Sequence, residues 1–295
     1  MKVKHLSKTI DSQEILKDIS FSMVPGQING LVGRNGTGKT TLFRTVVDHY
    51  QKDQGSITIT DQEIDVKREL YTTIFYLDTQ LNPLTTMTPY TIESYYRKLY
   101  PNFDTEKFLS LLEKYQLPKR GFYRNYSKGM QGLFNVILAF STGATYLFFD
   151  EPFDGLDIII KKQVIRLVID EVSKNQLSLM ISSHNLLELE GLVDRALILK
   201  DGQIIKNYDL ESMRSTSVKV QLAFKEKEIP PLLQESGHIL SQQGRVITVL
   251  FDELKPELLT AIKALEPVIF EELPISLEDL FASNLTTESD YHFYE

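Results

Sequence analysis

The segment Gly33-Arg-Asn-Gly-Thr-Gly-Lys-Thr40 carries glycines, a lysine and a threonine at the spacing G-x-x-x-x-G-K-[ST]. It follows the apolar run Ile28-Asn-Gly-Leu-Val32 and precedes Leu42–Asp48, which carries apolar residues at helical spacing. A strand that enters a glycine-rich turn and leaves as a helix commits the chain to an α/β architecture around a sheet. Glycines let consecutive backbone N–H groups curl around an anion, and the helix N-terminus adds partial positive charge there. Gly33, Arg34, Asn35, Gly36, Thr37, Gly38, Lys39, Thr40 and Thr41 are therefore the expected cradle of a polyphosphate. Lys39 is placed to reach the outer phosphates, and Thr40 to hold a divalent cation.

The apolar run Tyr146-Leu-Phe-Phe ends in Asp150-Glu151-Pro152. A buried strand delivers these carboxylates to its carboxyl end, where open α/β sheets bind ligands. Asp150 is the expected Mg²⁺ partner, and Glu151 the group that orients and deprotonates an attacking water. An apolar strand ending in two acids says little by itself; beside a phosphate loop the pair points to hydrolysis of ATP.

Along the chain, Ile15–Phe21, Ser56–Thr60 and Thr73–Leu77 are further expected strands. From about 85 to 143 the pattern turns helical. Thr88-Pro89 supplies a cap and a first-turn proline, and Asp104 a second cap; a third helix is expected over Gly129–Ser141. Helix Ile160–Lys174, strand Leu177–Ser182 and helix Leu186–Val193 follow, then a hairpin turning at Asp201-Gly202. The boundary of a small α+β domain is expected at 215/216. Its strands are Val218–Phe224, Val246–Phe251 and Val268–Glu272, and its helix is Glu257–Leu265.

Composition excludes several classes. There is no cysteine, so disulfides and thiolate metal sites are out. No apolar run approaches the roughly 18 residues that cross a bilayer, and the charged start Met1–Lys8 lacks a secretory core. If anything is moved across a membrane, another chain supplies the path. The net charge of −8 lies wholly after residue 215, where 14 acidic residues face 6 basic ones. An acidic appendage repels phosphate backbones, so no nucleic-acid partner is expected.

Further motifs follow in an order that resembles the ABC ATPase family over about residues 1–215. Tyr126-Ser-Lys-Gly-Met-Gln131 resembles the signature motif, Gly155-Leu-Asp157 the D-loop, and His184, ending Leu179-Met-Ile-Ser-Ser-His, the switch histidine. The resemblance implies an ATP- and Mg²⁺-dependent P-loop NTPase fold, with a mixed sheet, a helical subdomain and the small α+β domain behind it. It implies that Ser127 and Gly129 of one subunit bind the γ-phosphate held by another, that Asp157 lies at that dimer interface, and that His184 contacts the γ-phosphate. Taken alone, Ser127 reads first as a helix cap; it is the series of motifs that favours the signature. The usual coupling and Mg²⁺-binding glutamine falls at Thr79 without a gap, and Gln80 is taken for that role. The family's adenine-stacking aromatic falls at Ile10.

The tail Leu273-Pro-Ile-Ser-Leu-Glu-Asp-Leu-Phe281 is similar to subunits that serve separate membrane exporters. Tyr95-Tyr-Arg-Lys-Leu-Tyr-Pro-Asn-Phe-Asp104 is similar to subunits exporting small or amphipathic peptides. The implied partners are a second ATP-binding subunit, identical or related, and integral membrane subunits, with the chain on the cytoplasmic face of the membrane. A non-transport ABC ATPase of translation or DNA maintenance, and a metabolite kinase, are the competing classes. No second cassette, coiled coil or zinc module speaks for the first, and the signature and switch histidine speak against the second.

Overall fold

A computed structural model describes residues 1–78 and 84–282, with the backbone alone at Arg214, Phe281 and Ala282. The chain divides into two compact units, Met1–Asn207 and Tyr208–Glu295. The division precedes the 215/216 position expected from sequence.

The first unit opens with β1 (Lys2–Ile10) and β2 (Gln13–Ser22), followed by β3 (Ile28–Val32), α1 (Lys39–Val46), β4 (Gln54–Ile59), the short β5 (Gln62–Glu63) and β6 (Ile74–Asp78). The helical region holds α2 (Pro89–Leu99), α3 (Thr105–Lys114) and α4 (Lys128–Ser141). Alternation then resumes with β7 (Tyr146–Asp150), α5 (Ile158–Asn175), β8 (Ser178–Ser183), α6 (Leu186–Leu189), β9 (Arg195–Lys200) and β10 (Gln203–Asp209).

Two sheets form, not one. An antiparallel sheet has the order β2-β1-β4-β5, and a six-stranded sheet the order β10-β9-β3-β8-β7-β6. In the second, β3, β6, β7, β8 and β9 run parallel. Its central strands are apolar and buried along their whole length, as a sheet covered on both faces requires. One apolar cluster joins the sheets around α1: Val3, Leu6, Leu16 and Ile19 meet Leu42, Phe43 and Val46, which meet Phe148 and Met180. β1 went unforeseen because its buried residues Val3 and Leu6 stand three apart: a register shift with His5 at φ +52° breaks the period of two.

Thr88 and Asp104 cap α2 and α3 as expected, accepting from Thr91 N at 3.2 Å and Lys107 N at 2.8 Å. Phe108 of α3 and Phe134 of α4 meet edge to face at 5.7 Å. α6 is a single turn, shorter than the expected Leu186–Val193, because its segment turns at Gly191 (φ +71°). The hairpin turn is as foreseen, with Asp201 and Gly202 both at positive φ.

The second unit contains α7 (Leu210–Thr216), β11 (Val218–Ala223), α8 (Pro231–Ser236), β12 (His238–Gln243), β13 (Val246–Phe251), α9 (Pro256–Ala264), β14 (Ile269–Leu273) and α10 (Leu277–Ala282). Its antiparallel sheet has the order β12-β13-β11-β14. Val220, Leu222, Val249 and Phe251 of the sheet pack with Leu233 of α8 and Ile262 of α9. β12 is half-exposed and polar, so its sequence carries no alternation to read. No helix among the described residues is long and apolar enough to cross a membrane.

Candidate functional site

Parallel register sets the site. Asp78 ends β6 beside Asp150 of β7, and Asp150 lies beside Ser182 of β8. Val32, the last residue of β3, pairs with Ser183, so the loop from Gly33 opens at the same sheet edge as the carboxylates. All these groups sit at the carboxyl ends of their strands, where such sheets take ligands.

The loop Gly33–Gly38 delivers α1. Gly36 and Gly38 adopt φ of +84° and +107°, a region closed to most side chains. At Gly33 a Cβ would stand 2.5 Å from the Leu199 carbonyl oxygen, so that position also admits glycine alone. Thr37 Oγ1 donates to Arg34 O at 2.9 Å and tightens the turn. Lys39 begins α1 and is only 6% exposed. Its amine donates to Gly33 O at 2.6 Å and Arg34 O at 3.2 Å, and pairs with Glu151 Oε1 at 3.2 Å.

Thr40 Oγ1 donates to Asp150 Oδ2 at 2.7 Å. Glu151 Oε2 lies 3.0 Å from His184 Nδ1. Lys39, Thr40, Asp150, Glu151 and His184, spread over 146 positions of sequence (39 to 184), thus converge at one edge. A cavity of about 780 Å³ opens there, lined by Asn35, Gly36, Gly38, Lys39, Thr40, Thr41, Glu151 and His184 among others.

Three wall residues were not legible from sequence. Ile15 of β2 faces the cavity, and the expected Ile10 is not among its lining residues. The hairpin turn explains this: Gly202 O accepts from Lys17 N at 2.8 Å and holds β2 against the loop. Gln131 and Asn135 of α4 also line it; Gln131 ends the motif Tyr126–Gln131 with no role assigned to it there, and Asn135 stands within an apolar helical run.

Ser127, Gly129 and Asp157 are not among the lining residues, although Lys128 and Leu156 beside them are. Ser127 caps α4 through Met130 N at 3.2 Å, and its side chain lies at an exposed position. Asp157 caps α5, accepting from Ile159 N at 2.9 Å and Ile160 N at 3.0 Å. Gly129 packs against that cap, where a Cβ would come within 3.0 Å of Ile160 and 3.6 Å of Asp157 Oδ2. Thr79 and Gln80 lie outside the described residues, as does His292. His5 pairs with Asp18 at 2.6 Å, His49 meets Tyr76 edge to face at 5.7 Å, and His238 lies 3.5 Å from Asp252.

The donor set suits a small hard cation. Asp150 and Thr40 offer oxygen only, and no cluster of three or more acidic, histidine or cysteine ligands exists among the described residues. Two oxygen donors beside a phosphate cradle match Mg²⁺, which keeps waters and takes phosphate oxygens as ligands.

The family model described as ABC transporter matches residues 16–154. The chain is 31% identical to the ABC transporter ATP-binding protein YtrB of Bacillus subtilis (strain 168) over 282 residues, 95% of this chain and 96% of that protein. Among solved structures, the ATP-binding subunit of an ABC transporter superposes with a TM-score of 0.65 at 24% identity, covering 72% of this chain and 91% of that one. The dimeric structure of MJ0796, described as a bacterial ABC transporter cassette, gives 0.63 at 18% identity, with 71% and 98% covered.

Proposed function

The chain belongs to the ABC transporter family as an ATP-binding, ATP-hydrolysing subunit, and from that premise we propose that it is the motor of an exporter. The observation that carries the reading is the convergence of Lys39, Thr40, Asp150 and Glu151 at one sheet edge, within hydrogen-bonding reach of one another. In this reading Lys39 and the amides of Gly33–Thr41 hold the phosphates. Asp150 and Thr40 hold Mg²⁺, with Gln80 as a further ligand. The metal supplies positive charge to the phosphate oxygens. Glu151 is the general base, and His184, already hydrogen-bonded to it, orients it and meets the γ-phosphate.

One chain carries one phosphate loop and one Ser127 region; Ser127, Gly129 and Asp157 are not among the residues lining this chain's cavity, although Lys128, Gln131 and Leu156 beside them are. In this reading a complete site takes two subunits head to tail, with Ser127, Gly129 and Asp157 serving the neighbour's nucleotide. The partner is a second copy or a related chain. The exposed apolar residues Ile158, Ile159 and Leu187 support burial of this face. The helical region 85–143 passes the closure to integral membrane subunits at the cytoplasmic face. The similarity of the tail and of Tyr95–Asp104 to exporter subunits supports small or amphipathic peptides as cargo. The second unit, with its own core and none of the site residues, is assigned to dimerisation or regulation.

Affinity purification of the Glu151→Gln chain from membranes in the presence of ATP tests this. Recovery of a dimer with an integral membrane protein is the expected result. Recovery with ribosomes or DNA, or a strict monomer, overturns the motor reading. ATP-driven accumulation of amphipathic peptide in inverted vesicles checks the direction; accumulation in right-side-out vesicles overturns export.

A further inference from the structure

Asp150 is 2% exposed, yet both carboxylate oxygens are held by side chains from other elements. Oδ1 accepts from Ser182 Oγ of β8 at 2.5 Å. Oδ2 accepts from Thr40 Oγ1 of α1 at 2.7 Å and from the Tyr76 hydroxyl of β6 at 3.2 Å. Ser182, fully buried, has a second partner: its oxygen accepts the Glu151 N–H at 2.9 Å. Glu151 itself sits at φ +48°, in the left-handed region that costs a glutamate about 1 kcal/mol or more. That conformation follows directly on the strand end, and it turns the Glu151 side chain toward Lys39 and His184.

We propose that Ser182 and Tyr76 are positioning residues of the nucleotide site. Together they fix the Asp150 carboxylate, one oxygen each, for the metal-bound phosphates, and Ser182 also anchors the strained backbone of Glu151. The inference rests on the reading that Asp150 and Thr40 hold the metal. Thr40 serves both the carboxylate and that metal, whereas Tyr76 can stay on Oδ2 throughout. The Tyr76 hydroxyl donates to that oxygen at 3.2 Å. Its ring is wedged edge to face against Phe43 at 6.2 Å and His49 at 5.7 Å, which fixes where the hydroxyl points. Removing a partner that orients a metal-binding carboxylate typically weakens metal affinity by about 10-fold or more.

The test compares the full chain with Tyr76→Phe, Ser182→Ala and Ser182→Thr. Free Mn²⁺ is followed by its EPR signal as it is titrated with ADP-loaded protein, and metal-free ADP binding is measured by calorimetry in EDTA. The expected result is a fall of about tenfold in Mn²⁺ affinity for Tyr76→Phe and for Ser182→Ala, with metal-free ADP affinity unchanged. Ser182→Thr, which keeps the hydroxyl, restores Mn²⁺ binding. Ser182→Ala also lowers kcat for ATP more than Tyr76→Phe, because it alone releases the Glu151 backbone. Unchanged Mn²⁺ affinity in either variant overturns the role of that residue. A parallel fall of metal-free and metal-dependent binding overturns the positioning role in favour of general loosening. Tyr76→Phe keeps the packed ring, so it remains an independent arm if Ser182→Ala does not fold. Failure of the unaltered chain to bind Mn²⁺ with ADP would instead refute the metal assignment of Asp150 and Thr40.

Discussion

At the scale of single residues, Lys39 and Glu151 divide binding from turnover. Lys39→Ala removes the buried amine proposed to hold the phosphates, and charge-assisted hydrogen bonds of this kind are worth about 1.5–3 kcal/mol. ATP affinity should therefore fall by roughly 10- to 100-fold in calorimetric titration. Glu151→Gln keeps the shape but loses the base; steady-state hydrolysis should drop by about 10²-fold or more while ATP binding persists. Normal turnover in that variant would remove Glu151 from the mechanism. These residues were legible in the sequence because each lies inside a contiguous motif whose spacing states its chemistry. Tyr76, Ser182 and Ile15 were not legible. Each reaches the site by strand register or by a hairpin brace, which no local spacing states.

At the scale of elements, caps and turns decide how well the site is held. Asp157 accepts two N–H groups at the start of α5, so Asp157→Ala should cost about 1 kcal/mol in chemical denaturation. Ser127→Asn separates the two meanings of that residue. Asparagine caps as well as serine, so a capping role alone leaves ATPase activity unchanged, whereas a γ-phosphate contact made across subunits loses it. In the β9–β10 turn, a Cβ on Gly202 would stand 2.2 Å from Ile15 O, and φ is +79°. Gly202→Ala should destabilise the chain by about 2 kcal/mol and weaken nucleotide binding with it, as thermal melts with and without ADP would report. The turn itself was plain in Asp201-Gly202; its support of the cavity wall was not, because the contact joins distant strands. β1 escaped notice because a register shift between Val3 and Leu6 breaks the alternation by which a strand is read.

For the whole molecule, every site residue named from sequence within the described residues lies in Met1–Asn207. Ending the chain at residue 207 should then preserve nucleotide affinity per chain while weakening ATP-dependent self-association, measured by calorimetry and size-exclusion chromatography. Unchanged association would remove the second unit from dimerisation. Hydrophobic period and charge lead to the expectation of an α/β unit and a small α+β unit meeting at 215/216; the compact units of the structure meet at 207/208, and β10 and α7 continue regular structure through the stretch where composition changes.

The pairing of Lys39 with Glu151 has a consequence for the proposed roles. One ammonium faces one carboxylate at 3.2 Å, so an anion taken up by Lys39 competes with Glu151 for the same positive charge. Under those roles, grip and hydrolysis share a single pair of opposite charges.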